Sequence, residues 1–187
     1  GWDGRLQGVY HKVYLPNYGV FDEERYFQRG RRCPIFELGG VRIGVSICED
    51  CWYPTGPIPV QARAGAQVLL NINGSPFHAG KSGARATMIG TRAMDARAYF
   101  AWVNMVGGQD ELVFDGNSMV FGPSGELKAH ARSFEEDLLV VDLDIGSVLS
   151  ERLRDTRLRK DALARNDFDL EVSEVVLTGD NGLPDVH

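Results

Sequence analysis

Two of the three cysteines in this 187-residue chain lie three positions apart, Cys48 and Cys51 in "VRIGVSICEDCW", residues 41–52. Thiols at Cys-x-x-Cys spacing open three kinds of chemistry: half of a zinc site, a redox pair, or one nucleophile beside a bystander. A structural zinc site takes four ligands, usually as two close pairs. Only Cys33 and the scattered His11, His78, His130 and His187 remain to supply the second pair, none of them at finger-like spacing. Zinc therefore fits poorly. The redox pair meets a different obstacle, because Glu49 and Asp50 stand between the thiols. Carboxylates beside a thiol raise its pKa and oppose the thiolate. Trp52 and Tyr53 follow Cys51, which suits a small packing residue better than an exposed reactive one.

The third possibility is a single nucleophile, Cys48, at a sharp turn after a buried strand. In α/β sheets the strand ends are where substrates bind. Such a thiol needs a cation or a base to become effective. The best candidate is Lys12, in "YHKVYLPNYGVFDEERYF", residues 10–27. On residue types alone a single lysine is more often a solvated surface group, so the pairing of Lys12 with Cys48 stays open at this level.

The elements that would position these residues follow from hydrophobic patterning. Residues 6–14 are expected as a strand ending at Leu15-Pro16, and 17–30 as a loop. "VRIGVSI" and "QVLLNIN" are β-branched apolar runs of the buried-strand kind, with "AWVNMV" a third strand. Between the first two, Pro57 or Pro59 suits the first turn of a short helix through Ala66. Met88, Ile89, Ala93, Ala96 and Phe100 recur at helical spacing and predict a helix over 82–100, with Arg85, Arg92 and Arg97 as its polar positions. Residues 112–131 are expected as strand, turn and strand around Gly122-Pro123-Ser124-Gly125, and "DLLVVDLD" as a further strand. This alternation predicts a mixed α/β (α+β) sheet covered by helices. From Gly146 onward the composition changes to a charged helical stretch, "SERLRDTRLRKDALARND", and then to linker or loop. The expected division is 1–145 for the domain and 146–187 for a charged helix and linker.

Bulk properties narrow the class of partner. A 43% apolar and 25% charged composition is that of a soluble globular chain long enough to bury a core. The formal net charge of −6 disfavours nucleic-acid binding. No apolar run approaches the roughly 18 residues that span a bilayer, and no signal peptide is evident. With three cysteines no disulfide framework is expected, and a reducing, cytoplasmic location is.

Four segments, in order, carry a resemblance: "YHKVYLPNYGVFDEERYF", "GVSICEDCWYP", "NINGSPFHAGK" and "VGGQDELVFDGNS". Together they resemble the nitrilase (carbon–nitrogen hydrolase) superfamily, and more narrowly the glutaminase domain of glutamine-dependent NAD synthetases, over the chain to about residue 160. The resemblance implies a nitrilase-like four-layer α-β-β-α sandwich, here lacking its N-terminal strands, and a homo-oligomer paired across a helical face. It implies a Glu–Lys–Cys triad that hydrolyses L-glutamine and supplies ammonia for the amidation of deamido-NAD. Cys48 matches the nucleophile, and Lys12 the lysine that stabilises the oxyanion together with the backbone N–H of Glu49. Glu23 matches an auxiliary glutamate near the lysine. Tyr18 and Ser75 match glutamine-contacting positions. Glu49 is placed to take the α-ammonium and Lys81 the α-carboxylate, a charge pairing that a free amino acid requires. His78 is given no role and is expected as a loop residue.

The resemblance also implies what is not here. The triad's general base, a glutamate on a strand well upstream of the lysine, has no counterpart, because Asp3 is the only acid before Lys12. No pyrophosphate-binding loop is found. The expectation is a fragment of a longer protein that needs no cofactor itself, while ATP, Mg and deamido-NAD serve a separate synthetase domain. Glutaminase activity of the chain as given is expected to be weak or absent. The rivals are another nitrilase-superfamily amidase or carbamoylase, and a noncatalytic interaction domain.

Overall fold

The computed structural model describes residues 5–155 and 169–177. In chain order the strands and helices are β1 (Arg32–Leu38), β2 (Val41–Ile47), α1 (Pro57–Arg63), β3 (Val68–Asn73), α2 (Lys81–Ala96), β4 (Tyr99–Asn104), β5 (Val106–Gln109), β6 (Leu112–Asp115), β7 (Met119–Phe121), β8 (Leu127–His130), α3 (Ile145–Arg154) and β9 (Glu171–Val176). Seven strands form one mixed sheet in the order β8-β7-β4-β3-β2-β1-β9, and β5 pairs with β6 in a separate hairpin. The mixed α/β class is thus as expected.

The sheet's centre is parallel. Val45 lies beside Leu70 and Ser46 beside Asn71 in the β2–β3 pairing, while Asn71 lies beside Trp102 in β3–β4. Parallel neighbours need crossovers, and α1 and α2 supply them. Because successive strand residues face opposite ways, one face carries Ser46, Leu69, Asn71, Phe100 and Trp102. That face meets Ile58, Ile89, Ala93 and Ala96 of α1 and α2 in the main core, in which Leu69, Ile89, Phe100 and Trp102 have no exposed surface.

Among the described residues the other face is covered at one end only. Val148 of α3, with Leu143 and Ile145 beside it, packs against Val68, Tyr99 and Ile43. Arg152 holds α3 there by donating to the carbonyls of Ala66, Ala96 and Arg97, at the C-terminal ends of α1 and α2, where a cation meets orphan carbonyls and the helix dipole. Toward the strand ends Ile72 and Val103 are about half exposed, at 52% and 51%. Of the four layers expected, the described residues therefore build the helical layer and one sheet.

Several local expectations are corrected. Residues 6–14 and 137–144 join no ladder among the described residues, although both have strand-like composition. A strand requires a neighbour, and neither segment has one here. α2 stops at Ala96 rather than 100, because Arg97 takes a left-handed conformation at φ 46 and releases the chain into β4. Arg85, expected as one of the helix's polar positions, is fully buried. β1 was not foreseen; the Gly39-Gly40 pair, at φ 57 and 77, makes the two-residue turn that folds it against β2. The tail expected as linker or loop contains β9, which pairs parallel to β1 from Arg32↔Glu171 to Glu37↔Val176. Its burial is slight on both faces, so no apolar period marks it. The charged helix expected over 150–167 is α3 up to Arg154; 156–168, like Asp3, lie outside the described residues.

Candidate functional site

Cys48 follows the last residue of β2 and opens a short 3-10 turn, Cys48–Cys51. Its φ is +44, a region that costs a non-glycine residue of order 1–3 kcal/mol and that clusters at functional positions. The turn is closed by Ile47 N–H donating to Asp50 Oδ2 at 3.0 Å. Cys51 is fully buried, and its thiol donates to the Cys48 carbonyl at 3.2 Å. Among the described residues no three His, Cys, Asp or Glu side chains converge as metal ligands do.

A cavity of about 380 Å3 opens at Cys48, and its walls include Tyr18, Glu49, Trp52, Ser75, His78 and Lys81. Five of the seven expected site residues, Cys48, Tyr18, Glu49, Ser75 and Lys81, thus share one cavity. They arrive from four places: the turn after β2, the loop after β3, the start of α2, and the exposed 17–27 loop. Glu49 is buried and accepts the Tyr18 hydroxyl at 2.8 Å. The Ser75 main chain is clamped by buried Asn104 at the end of β4. The Ser75 N–H donates to Asn104 Oδ1 at 2.8 Å, and Asn104 Nδ2 donates back to the Ser75 carbonyl at 3.2 Å. Lys81 begins α2, lies 5.6 Å from the Trp52 ring centroid and donates to the Pro76 carbonyl at 3.4 Å. His78 is an exposed loop residue on the cavity wall.

The remaining pair stands beside the cavity. Lys12 Nζ meets both carboxylate oxygens of Glu23 at 2.7 Å, with both side chains mostly buried. Electrostatics tie this pair to the thiol. Burial pushes the Cys48 thiol above its ordinary range; the Lys12 ammonium pulls it back, Glu49 and Glu23 push it further, and the Gly74 N–H pulls it down. Burial lowers the Lys81 ammonium, and Arg85 acts in the same direction. The Tyr18 phenol is raised by burial and by its bond to Glu49.

Beneath the cavity lies a buried ion pair that the sequence reading did not find. Arg85 Nη1 meets Asp115 at 3.0 Å, its guanidinium lies 4.7 Å from the Trp102 ring centroid, and its Nη2 donates to the Pro76 carbonyl. Asn117 Nδ2 donates to both Asp115 and Ser82. The pair therefore braces the start of α2 and the Ser75–Pro76 loop from below. Asp115 is visible in "VFDGNS", but its partner thirty positions away is not.

A nucleophile-bearing turn after a central parallel strand, facing a mainly apolar cavity with a few polar groups and a lysine–glutamate pair at its side, is suited to attack on a carboxamide or nitrile carbon. The sequence matches the carbon–nitrogen hydrolase family over residues 2–152, and the chain belongs to that family. A glutamine-dependent NAD(+) synthetase from Aquifex aeolicus (strain VF5) is 45% identical over 170 residues, which are 91% of this chain and 30% of that protein. The solved glutamine-dependent NAD+ synthetase from Acinetobacter baumannii, in complex with ADP, superposes with a TM-score of 0.69 at 42% identity, over 72% of this chain and 26% of that one. An amidase variant from Nesterenkonia sp. AN1, carrying the acetamide moiety of fluoroacetamide covalently added at its active-site cysteine, superposes with a TM-score of 0.64 at 29% identity, over 81% of this chain and 55% of that one. The chain spans less than a third of the length of the curated synthetases it matches.

Proposed function

We propose that this chain is the glutaminase portion of a glutamine-dependent NAD synthetase, hydrolysing L-glutamine to glutamate and ammonia. The observation that carries the reading is the cavity at Cys48, which sets an acid, Glu49, and a cation, Lys81, around the thiol. A free amino acid needs both: the carboxylate for its ammonium, the ammonium for its carboxylate. Cys48 Sγ attacks the side-chain amide carbon while a base takes the thiol proton. The Lys12 ammonium and the Glu49 backbone N–H stabilise the oxyanion, each donor being worth about 3–4 kcal/mol in comparable sites. The C–N bond breaks, the proton leaves with ammonia, and water hydrolyses the thioester to glutamate.

The raised Cys48 thiol makes a proton acceptor necessary. Glu23 is held by Lys12 and serves to fix the ammonium. ATP, Mg and deamido-NAD belong to a synthetase domain that consumes the ammonia, in a cytoplasmic homo-oligomer. Among the described residues no helix is long and apolar enough to cross a membrane.

A second reading, another amidase or carbamoylase of this superfamily, is favoured by the likeness to the Nesterenkonia amidase. Ammonia release measured over L-glutamine, small aliphatic amides and N-carbamoyl amino acids separates the two. Preference for glutamine, however slow, is expected; preference for a carbamoyl substrate sinks the reading. The third possibility, a noncatalytic interaction domain, predicts no Cys48-dependent release from any of them.

A further inference from the structure

Asp50 has no exposed surface, and the chemistry above leaves it without a task. Its carboxylate joins two segments that are distant in sequence. Oδ1 accepts the N–H groups of Val13 at 3.1 Å and Tyr14 at 2.8 Å, the two residues that follow Lys12. Oδ2 accepts the Tyr10 hydroxyl at 2.7 Å and the N–H of Ile47, the residue before Cys48, at 3.0 Å. All four contacts are donors. Three of them are main-chain N–H groups that can only donate, which favours the ionised form, and hydrogen bonds to an ionised group are the stronger kind. Burial raises the Asp50 carboxyl above its ordinary range, and the four donors pull it back.

The Lys12 segment is held by side-chain packing as well: Val13 and Tyr10 pack with Cys33, Val60 and Leu170, and Tyr14 stacks on Tyr53 and bonds Thr55. Residues 5–15 join no ladder among the described residues. The Gly30 N–H donates to the Lys12 carbonyl at 2.7 Å, an approach so close that a methyl group at Gly30 would collide with the His11 carbonyl. Glu23 fixes the far end of the side chain but sits on an exposed loop. Beside that packing, the Asp50 carboxylate accepts main-chain N–H groups from both the Lys12 segment and the nucleophile turn.

We propose that Asp50 is a positioning residue: its carboxylate grips the Lys12 segment and the Cys48 turn together, and so fixes where the Lys12 ammonium stands relative to the thiol. This rests on the glutaminase reading. A misplacement of about 1 Å in a catalytic group costs on the order of a hundredfold.

The test is a double-mutant cycle on the rate at which 6-diazo-5-oxo-L-norleucine, a glutamine-like electrophile, labels Cys48. The proteins are the parent, Lys12→Ala, Asp50→Asn and the double variant. Each single change is expected to slow labelling roughly a hundredfold. The double variant is expected within roughly twofold of Lys12→Ala, because Asp50 acts through the lysine. Losses that multiply overturn the inference, since a merely structural carboxylate would add its own defect. The pH at which labelling reaches half its maximum gives a second readout. Removing the Asp50 charge would by itself lower that pH, whereas displacing Lys12 raises it. A rise matching that of Lys12→Ala is expected; a fall or no change overturns the inference. If Asp50→Asn gives no cooperative thermal melt, Tyr10→Phe removes one donor without a charge. The same cycle then expects about a fivefold loss that vanishes in the Lys12→Ala background. If Lys12→Ala leaves labelling unchanged, the glutaminase reading itself fails, and this inference with it.

Discussion

At Cys48 the balance of burial and charge decides how the thiol behaves. Burial raises its pKa more than Lys12 and the Gly74 N–H lower it, so the folded protein holds it protonated to higher pH than a free thiol. Alkylation by iodoacetamide, which needs the thiolate, should therefore climb with pH through the alkaline range. Lys12→Ala removes the charge that favours the thiolate and should move the curve to still higher pH. A curve unmoved, or moved to lower pH, would show that the thiol does not sense Lys12. At this scale the sequence was informative where residue type carries chemistry. Cys48, Glu49, Tyr18, Ser75 and Lys81 share the cavity, and Lys12 meets Glu23 beside it. Asp50 was misjudged as merely one of two carboxylates hostile to a thiolate. Its partners, Tyr10, Val13 and Tyr14, lie 36 to 40 positions away, and no local pattern reports such contacts.

Among the elements, those with strong local signatures were legible. β2, β3 and β4 are apolar runs buried in the centre of the sheet, and α2 shows its buried stripe at Ile89, Ala93 and Ala96. Elements defined by distant partners were not. β9 exists through its pairing with β1, and residues 137–144 have an alternating pattern without a neighbour to make them a strand. Burial of Arg85 was equally hidden, because its sequence context is that of a polar helix face. The Arg85–Asp115 pair offers a stability test of how α2 and β6 are braced. Asp115→Ala leaves a guanidinium buried without its counter-charge and should destabilise the fold by about 3–5 kcal/mol. Urea unfolding measures this. A loss below about 1 kcal/mol would mean that the pair is solvated in solution, as exposed pairs are.

For the molecule as a whole, membership of the carbon–nitrogen hydrolase family rests on a match spanning most of the chain. The particular substrate rests on the cavity. The described residues give a seven-stranded sheet with α1 and α2 on one face, while the other face is covered only near α3 and leaves Ile72 and Val103 open. The second large sheet that a four-layer sandwich needs is not built by the described residues, whose other sheet is only the β5–β6 hairpin. What the architecture does provide is a single place where strand ends, loop and helix start meet around one thiol. The most direct test of the account is the labelling of Cys48 by 6-diazo-5-oxo-L-norleucine, followed by peptide mass spectrometry in the presence of rising L-glutamine. The account predicts that Cys48 is labelled while buried Cys33 and Cys51 are spared, and that L-glutamine protects it where N-carbamoyl amino acids do not. Labelling that ignores L-glutamine, or that a carbamoyl compound blocks better, would contradict it.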